Sequence, residues 1–163
     1  LDIGNGEIVV PMLVVDPSGR IDLGVGRLSV AAGGVAESVV RDLLLAGRNG
    51  GTWDATVGVM SRVARPAEGL GVGYLVTSEA TTIAFAAAGD TNLDGIVDVV
   101  DMANFVTHLG EASLAASSWS DGDFNYDGLV DELDLSEFLA TGFFDQGGYL
   151  SGLDAAFASF GAT

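Results

Sequence analysis

The chain has 163 residues, a formal net charge of −17 at pH 7 and no cysteine. Because 23 acidic residues stand against only six basic ones, the chain gains nothing from neutralising phosphates. We therefore expect neither nucleic acid nor an anionic membrane surface as a partner. No apolar run approaches the roughly 20 residues needed to span a bilayer, so we expect no membrane insertion.

The first 88 residues show the pattern of a β-rich region. Turn residues at positions 17–19 and 33–34 separate apolar segments, as expected where short strands are joined by tight connections. Segments with the alternating or continuous apolar character of β-strands lie at residues 7–15, 20–30, 71–77 and 81–88.

One helix is predicted within this region, over residues 35–46. Gly47 fits a C-terminal stop for it. We place a domain boundary after residue 88, giving a β-rich region with one helix (1–88) and a second region (89–163). The apolar residues that share one face of the helix are Val35, Val39, Val40, Leu43 and Leu44.

Two twelve-residue windows, 90–101 and 123–134, carry the same series of oxygen-bearing side chains, 33 residues apart. Positions 1, 3 and 5 are Asp, Asn and Asp, position 6 is Gly, and positions 9 and 12 are Asp. This series matches the EF-hand loop, in which oxygens wrap around a calcium ion and a glycine permits the sharp turn. Six specified residues coincide by chance on the order of once in ten million windows, so we predict calcium sites rather than acidic turns.

The loop pattern assigns a role to each position. Position 7 gives its main-chain carbonyl, position 9 acts through a water, and position 12 closes the site. Aspartate at position 12 is shorter than the usual glutamate, so the following helix must come nearer, and we expect ordinary extracellular affinity. The predicted ligands of two Ca²⁺ ions are Asp90, Asn92, Asp94, Ile96, Asp98 and Asp101 in one loop, and Asp123, Asn125, Asp127, Leu129, Asp131 and Asp134 in the other.

A helix is predicted after each loop, with no helix before it. We expect the two helices to pack on each other, and Val97 and Val130, at loop position 8, to bridge backbone to backbone. The apolar face consists of Met102, Phe105, Val106 and Leu109 in the first helix and of Leu135, Phe138 and Leu139 in the second.

The segments GDTNLDGIVDVVDMANFVTHLG and WSDGDFNYDGLVDELDLSEFLATGF resemble the tandem repeats of the type I dockerin, in particular those of exported bacterial proteins of the planctomycete type. The resemblance covers about residues 89–142 and implies a paired, EF-hand-like calcium module that docks a cohesin. In that family, loop positions 10 and 11 help to choose the cohesin. Here they are Val99, Val100, Glu132 and Leu133.

The expected fold is therefore α+β: an N-terminal β-rich region with one helix, then a paired EF-hand-like (loop-helix) dockerin-type calcium module, then a C-terminal helix. The terminal helix is predicted from the helical spacing of Leu150, Leu153, Phe157 and Phe160.

The acidic residues concentrate in the second region. Residues 89–163 hold 14 of the 23 acids and no basic residue, whereas all six arginines lie within residues 20–65. Such a segment repels itself unless cations neutralise it. This composition agrees with an exported, calcium-loaded protein, so we expect a location outside the cell or on its surface. The first residue is leucine rather than methionine, from which we expect a processed precursor or a cut piece.

The sequence shows no evident catalytic set, and we expect no enzyme. His108, the only histidine, falls on the polar side of its helix and is expected at the surface. Two alternatives stay open on residue type alone. One is a glycosidase pair among Glu7, Glu37, Glu68 and Glu79, and the other is a sugar-stacking platform of Trp53, Tyr74 and Trp119, for which packing is the ordinary role.

Two functions remain. In the first, the chain is an extracellular calcium-binding structural protein that assembles with copies of itself into a filament or surface matrix, calcium rigidifying the protomer or its contacts. Residues 1–10 are the first candidate for pairing with a neighbour. In the second, it is a dockerin-type anchoring module that binds a cohesin-like partner.

Overall fold

The structure is a computed structural model that describes residues 1–64, 68–111 and 116–150. Within these ranges the chain forms six strands and three α-helices, which is consistent with the predicted α+β class. The predicted C-terminal helix lies, beyond Leu150, outside the described residues. The strands are β1 (Glu7–Val10), β2 (Arg20–Asp22), β3 (Arg27–Ala31), β4 (Gly58–Met60), β5 (Leu70–Val76) and β6 (Ala80–Ala87), and the helices are α1 (Glu37–Arg48), α2 (Val99–His108) and α3 (Glu132–Ala140).

The strands form two sheets. Four strands pair in the order β1, β3, β6, β5, and β2 pairs with β4 in a small second sheet. Strand β6 runs antiparallel to both of its neighbours, whereas β1 runs parallel to β3. Because β1 is an edge strand, its outer side has no strand partner within the described ranges.

Two predicted strands are shorter than the sequence pattern indicated. The segment 7–15 stops at Val10, because Pro11 has no N–H with which to continue a ladder. The segment 20–30 divides into β2 and β3 at a tight turn, where Gly24 has a φ of 56°. A Cβ at Gly24 would lie 2.3 Å from the Gly4 carbonyl oxygen, so the N-terminal segment runs directly against this turn.

Helix α1 packs closely on strand β4. A Cβ at Gly47 would lie only 1.8 Å from the carbonyl oxygen of Val59, so glycine at this position permits the helix backbone to touch the strand. The predicted stop at Gly47 is therefore wrong. The helix continues to Arg48, and its C-cap is Asn49, which has the left-handed conformation typical of such ends.

Two glycines on β5 are each covered by a tryptophan. A Cβ at Gly71 would lie 2.7 Å from Nε1 of Trp53, and a Cβ at Gly73 would lie 2.4 Å from Cε2 of Trp119. The ring of Tyr126 stacks on Trp119, with centroids 5.9 Å apart, and meets Trp53 edge-on at 6.4 Å. Through these rings the sheet and the C-terminal half share one continuous buried core.

The predicted helices after the two acidic windows are confirmed as α2 and α3. Phe105 of α2 and Phe138 of α3 are both buried, and their ring centroids lie 5.9 Å apart. Phe124, from the segment between the helices, stacks on Phe105 at 6.0 Å. The helices thus meet through aromatic side chains at the centre of the C-terminal half.

The predicted paired EF-hand-like module of the dockerin type is wrong. In the described part of the chain, no three or more His, Cys, Asp or Glu side chains form a group that could hold a metal ion. Val97 pairs with Phe144 rather than with Val130, whose carbonyl accepts a hydrogen bond from the Gly110 N–H. The physical reason is local: the carboxylates accept hydrogen bonds from backbone N–H groups of their own loop, which hold them to the loop backbone.

Candidate functional site

Two segments of the C-terminal half repeat the same backbone geometry. We call them the first acidic loop (residues 90–101) and the second acidic loop (residues 123–134). Position 4 has a positive φ in both, 57° at Leu93 and 65° at Tyr126, and so does position 6, 86° at Gly95 and 94° at Gly128. Residues with a Cβ, such as Leu93 and Tyr126, rarely adopt this conformation. Because it occurs at position 4 in both loops, the other contacts of each loop must enforce the turn.

In the first acidic loop, side-chain oxygens at positions 1, 3 and 5 accept hydrogen bonds from backbone N–H groups that follow them. Oδ2 of Asp90 accepts one from Gly95 (3.0 Å) and Oδ1 accepts one from Asp94 (3.1 Å). Oδ1 of Asn92 also accepts from the Asp94 N–H (2.9 Å), and Oδ1 of Asp94 accepts from Ile96 (2.9 Å). The Asn92 amide in turn donates to the Asp94 carboxylate, so the three side chains lie together.

The second acidic loop repeats this arrangement. Oδ2 of Asp123 accepts a hydrogen bond from the Gly128 N–H (2.9 Å), and Oδ1 of Asn125 accepts one from Asp127 (2.7 Å). The Asp127 carboxylate accepts from the Leu129 N–H (2.9 Å) and from the Asn125 amide (3.1 Å). One difference matters below: Oδ1 of Asp123 has no hydrogen-bond partner, although it is fully buried.

The acids at positions 9 and 12 hold the start of the following helix. Asp98 caps α2 by accepting a hydrogen bond from the Val100 N–H (2.7 Å), and Asp101 accepts from the Asp98 N–H (2.9 Å). The other oxygen of Asp101 accepts from both the N–H and the hydroxyl of Thr91. This reciprocal capping stabilises the first helical turn.

The same capping occurs at the start of α3. Asp131 accepts a hydrogen bond from the Leu133 N–H (2.8 Å), and Asp134 accepts from the Asp131 N–H (3.0 Å). Asp134 also accepts from the Phe124 N–H (2.8 Å). The sequence pattern predicts these position-9 and position-12 acids as metal ligands, and in the structure they fix the helix to its loop.

Four of the loop acids are completely buried: Asp90, Asp101, Asp123 and Asp134. Removal from water raises the pKa of Asp90 to about 6 and that of Asp123 to about 7, and it also raises the pKa of Asp134. The folded chain therefore holds carboxylates whose charged form lacks full solvation. A cation against them would replace the solvation that burial removed.

The buried position-1 acids have different neighbours outside their loops. Oδ2 of Asp90 accepts a hydrogen bond from the hydroxyl of Tyr149 at 2.6 Å. Oδ2 of Asp123 instead lies 3.3 Å from Nη2 of Arg41, which comes from α1. The Arg41 guanidinium also donates to the carbonyls of Ser117 and, at 3.4 Å, Tyr126.

Two further contacts fix the loops to the sheet region. The indole N–H of Trp119 donates to the carbonyl of Asp90 at 2.7 Å. The hydroxyl of Tyr126, itself in the second acidic loop, donates to the carbonyl of Val72 on β5. Position 1 of one loop and position 4 of the other are thus held by the aromatic cluster on β5.

Sequence reasoning did not identify these outside partners. Arg41 lies in an ordinary amphipathic helix, far from Asp123 in the chain, and Tyr149 follows the predicted loop-helix units. Neither residue carries a local motif. Only the packing of α1 and of the segment after α3 brings them to the loops.

The other candidate residues have structural roles. Trp53, Tyr74 and Trp119 are all buried, so their predicted packing role is confirmed and they present no open sugar-stacking surface. His108 is half-buried rather than fully exposed. Its Nδ1 donates to the Asn104 carbonyl, and its Nε2 lies 3.6 Å from Asp121. Of the four glutamates, Glu7 lies on β1, Glu37 begins α1 and accepts a hydrogen bond from Tyr74, and Glu79 lies in the β5–β6 turn.

A cavity of about 280 Å³ lies between α1, β5 and α3. The Arg48–Glu137 ion pair and the rings of Trp53, Trp119 and Phe124 line it, with glycines supplying much of the remaining wall. Its polar side chains already pair with each other, so the cavity contributes no catalytic arrangement.

No protein-family model, curated protein or solved structure matches this chain. Among the described residues, no helix is long and apolar enough to cross a membrane. The two acidic loops and the surface around them are therefore the features that indicate a function.

Proposed function

We propose that this chain is an extracellular, calcium-binding structural protein that assembles with copies of itself, one calcium ion being bound by each acidic loop. The observation that carries the calcium part is Oδ1 of Asp123, a fully buried carboxylate oxygen without a hydrogen-bond partner. An unpartnered buried carboxylate oxygen is costly, and a cation is the natural species to compensate it.

Calcium suits the oxygens of these loops. It takes six to eight hard oxygen ligands, which include amide and main-chain carbonyls as well as carboxylates. The proposal therefore does not need a cluster of three acids. It needs the mixed set at positions 1, 3, 5, 7, 9 and 12. In the first loop the side chains at positions 3 and 5 are hydrogen-bonded to each other, and those at positions 1 and 3 accept from the same Asp94 N–H.

The proposed assembly depends on the N-terminal segment. Val9, Met12 and Val14 are apolar and exposed, at 71 %, 63 % and 81 %. Val9 lies on β1, whose outer side is an open sheet edge within the described ranges. An open edge beside exposed apolar side chains is suited to the addition of a strand from another chain. A head-to-tail contact of this kind yields a filament when the rotation between successive copies does not close into a ring.

The experiment has a calcium arm and an assembly arm. The chain is followed by light scattering and negative-stain imaging in millimolar calcium and again in excess chelator, and calcium binding is measured directly by calorimetry. If each site has a dissociation constant near 1 µM, calcium at about 1 mM stabilises the fold by about 4 kcal/mol per site. A melting temperature unchanged by chelation, together with no heat of binding, would refute the calcium part.

The assembly arm compares two charged substitutions. Val9→Lys places a charge on the open edge strand, and Val76→Lys places the same charge on an exposed valine at the end of β5. We expect Val9→Lys to abolish large particles and Val76→Lys to leave them. Equal loss in both variants would contradict the role of β1.

A second candidate is an anchoring module that docks a cohesin-like partner. One observation favours it: Val99 and Val100 at the start of α2 and Leu133 at the start of α3 are each more than half exposed. Exposed apolar side chains at two helix starts are typical of docking surfaces. A chain that binds calcium but stays monomeric in both imaging and scattering would favour this alternative over self-assembly.

A further inference from the structure

The two acidic loops share most of their internal contacts and differ in the groups that contact them from outside. In each, the position-1 aspartate offers Oδ2 to the N–H of the position-6 glycine, at 3.0 Å for Asp90 and 2.9 Å for Asp123. The outside group on that same oxygen is the neutral hydroxyl of Tyr149 for Asp90 and the guanidinium of Arg41 for Asp123. The loops therefore differ by one fixed positive charge at equivalent positions.

Arg41 is held in place beside the second loop. Its guanidinium donates to the carbonyls of Ser117 and Tyr126, and a Cβ at Gly128 would lie 3.5 Å from its Nη2. The side chain is mostly buried, so water screens its charge only in part. It cannot leave the loop without losing all of these contacts together.

We propose that Arg41 makes the second acidic loop the weaker of two calcium sites, so that the first loop fills at lower calcium and the second fills only at higher calcium. The inference rests on the proposed calcium binding. A unit positive charge a few ångströms from a doubly charged ion opposes binding by about tenfold even in a medium as polar as water. The neutral Tyr149 hydroxyl imposes no such penalty on the first loop.

Arg41 is a positively charged residue among acids, and it positions the Asp123 carboxylate. Without a metal, its charge offsets the charge of buried Asp123 and keeps α1 attached to the second loop. The Asp123 carboxylate would be shared between Arg41 and any calcium held by the second loop, which would weaken that attachment.

The test is calorimetric titration of the full chain with calcium at mildly alkaline pH. Two variants assign the steps, Asp94→Ala for the first loop and Asp127→Ala for the second, because both side chains are exposed and their loss disturbs little packing. We expect wild type to bind in two steps at least about tenfold apart. We also expect Asp127→Ala to retain the tighter step and Asp94→Ala the weaker one.

Arg41→Gln should tighten the weaker step by about tenfold, and Arg41→Lys should preserve the inequality. The matched control is Arg62→Gln, which removes the same charge from an exposed arginine outside both loops and should change either step less than about threefold. Three results would each overturn the inference while leaving calcium binding intact. They are two equal sites in wild type, a tighter step located in the second loop, and an Arg41→Gln chain whose weaker step does not tighten. An absence of any binding would instead refute the proposed function. If Arg41→Gln fails to fold, the comparison of Asp94→Ala with Asp127→Ala still decides, because neither variant touches Arg41.

Discussion

Tyr126→Phe should destabilise the whole chain although it removes a single oxygen atom. The Tyr126 hydroxyl donates to the carbonyl of Val72, and both residues are buried. Phenylalanine keeps the ring and its contacts with Trp119 and Trp53, so no cavity is created. The carbonyl of Val72 loses its partner in a place that water does not reach, which costs about 1–3 kcal/mol.

The matched control is Tyr74→Phe. The Tyr74 hydroxyl also donates a hydrogen bond, at 2.9 Å, but its acceptor is Glu37, whose exposed carboxylate can bind water instead. We expect its free energy of unfolding to fall by less than about 1 kcal/mol. Both variants keep an aromatic ring, so the pair separates the buried hydrogen bond from aromatic packing.

The assay is urea denaturation followed by circular dichroism at constant calcium. Because Tyr126 connects the second acidic loop to β5, its loss should lower a single transition in which the sheet and the C-terminal half unfold together. At about 2–4 °C per kcal/mol for a chain of this size, the melting temperature should fall by several degrees. A Tyr126→Phe chain as stable as wild type, or two separate transitions in wild type, would refute this account of the junction.

Two glycine substitutions test close packing elsewhere. Gly47→Ala sets a methyl against the Val59 carbonyl oxygen at 1.8 Å, so α1 must move away from β4, and we expect a loss of more than about 3 kcal/mol, measured by urea denaturation. Gly73→Ala sets a methyl 2.4 Å from the Trp119 ring, and we expect a loss of about 1–3 kcal/mol with a change in the near-ultraviolet circular dichroism of the displaced indole. Gly6→Ala, whose Cβ would meet nothing closer than 3.6 Å, is the control and should change stability by less than about 0.5 kcal/mol. An equal effect of all three substitutions would show that the loss of glycine itself, rather than contact, decides the result.

The parts of the fold that sequence predicted are those with a local cause. Strands β5 and β6 and helices α2 and α3 carry regular apolar spacing, and their positions agree with prediction to within a few residues. The position-6 glycines Gly95 and Gly128 were predicted from the loop pattern, and both have the positive φ that such a turn requires.

The parts that sequence missed depend on pairs far apart in the chain. Nothing local indicates that β1 pairs parallel with β3, or that three residues form β4 against β2. The predicted bridge between Val97 and Val130 failed because Phe144 provides Val97 with a different partner. The paired module was inferred from the ligand spacing, the helical pattern after each loop and the resemblance to the dockerin. None of these determines whether acidic side chains converge on one point.

The tryptophan-on-glycine packing of β5 has a consequence for how this protein can change over evolution. Gly71 lies under Trp53 and Gly73 under Trp119, so each pair shares a fixed volume between strand and ring. A larger residue on the strand is acceptable only if the ring above it becomes smaller in the same lineage. In related chains we therefore expect positions 71 and 53, and likewise 73 and 119, to vary as two linked pairs, and a chain that keeps both tryptophans should keep both glycines.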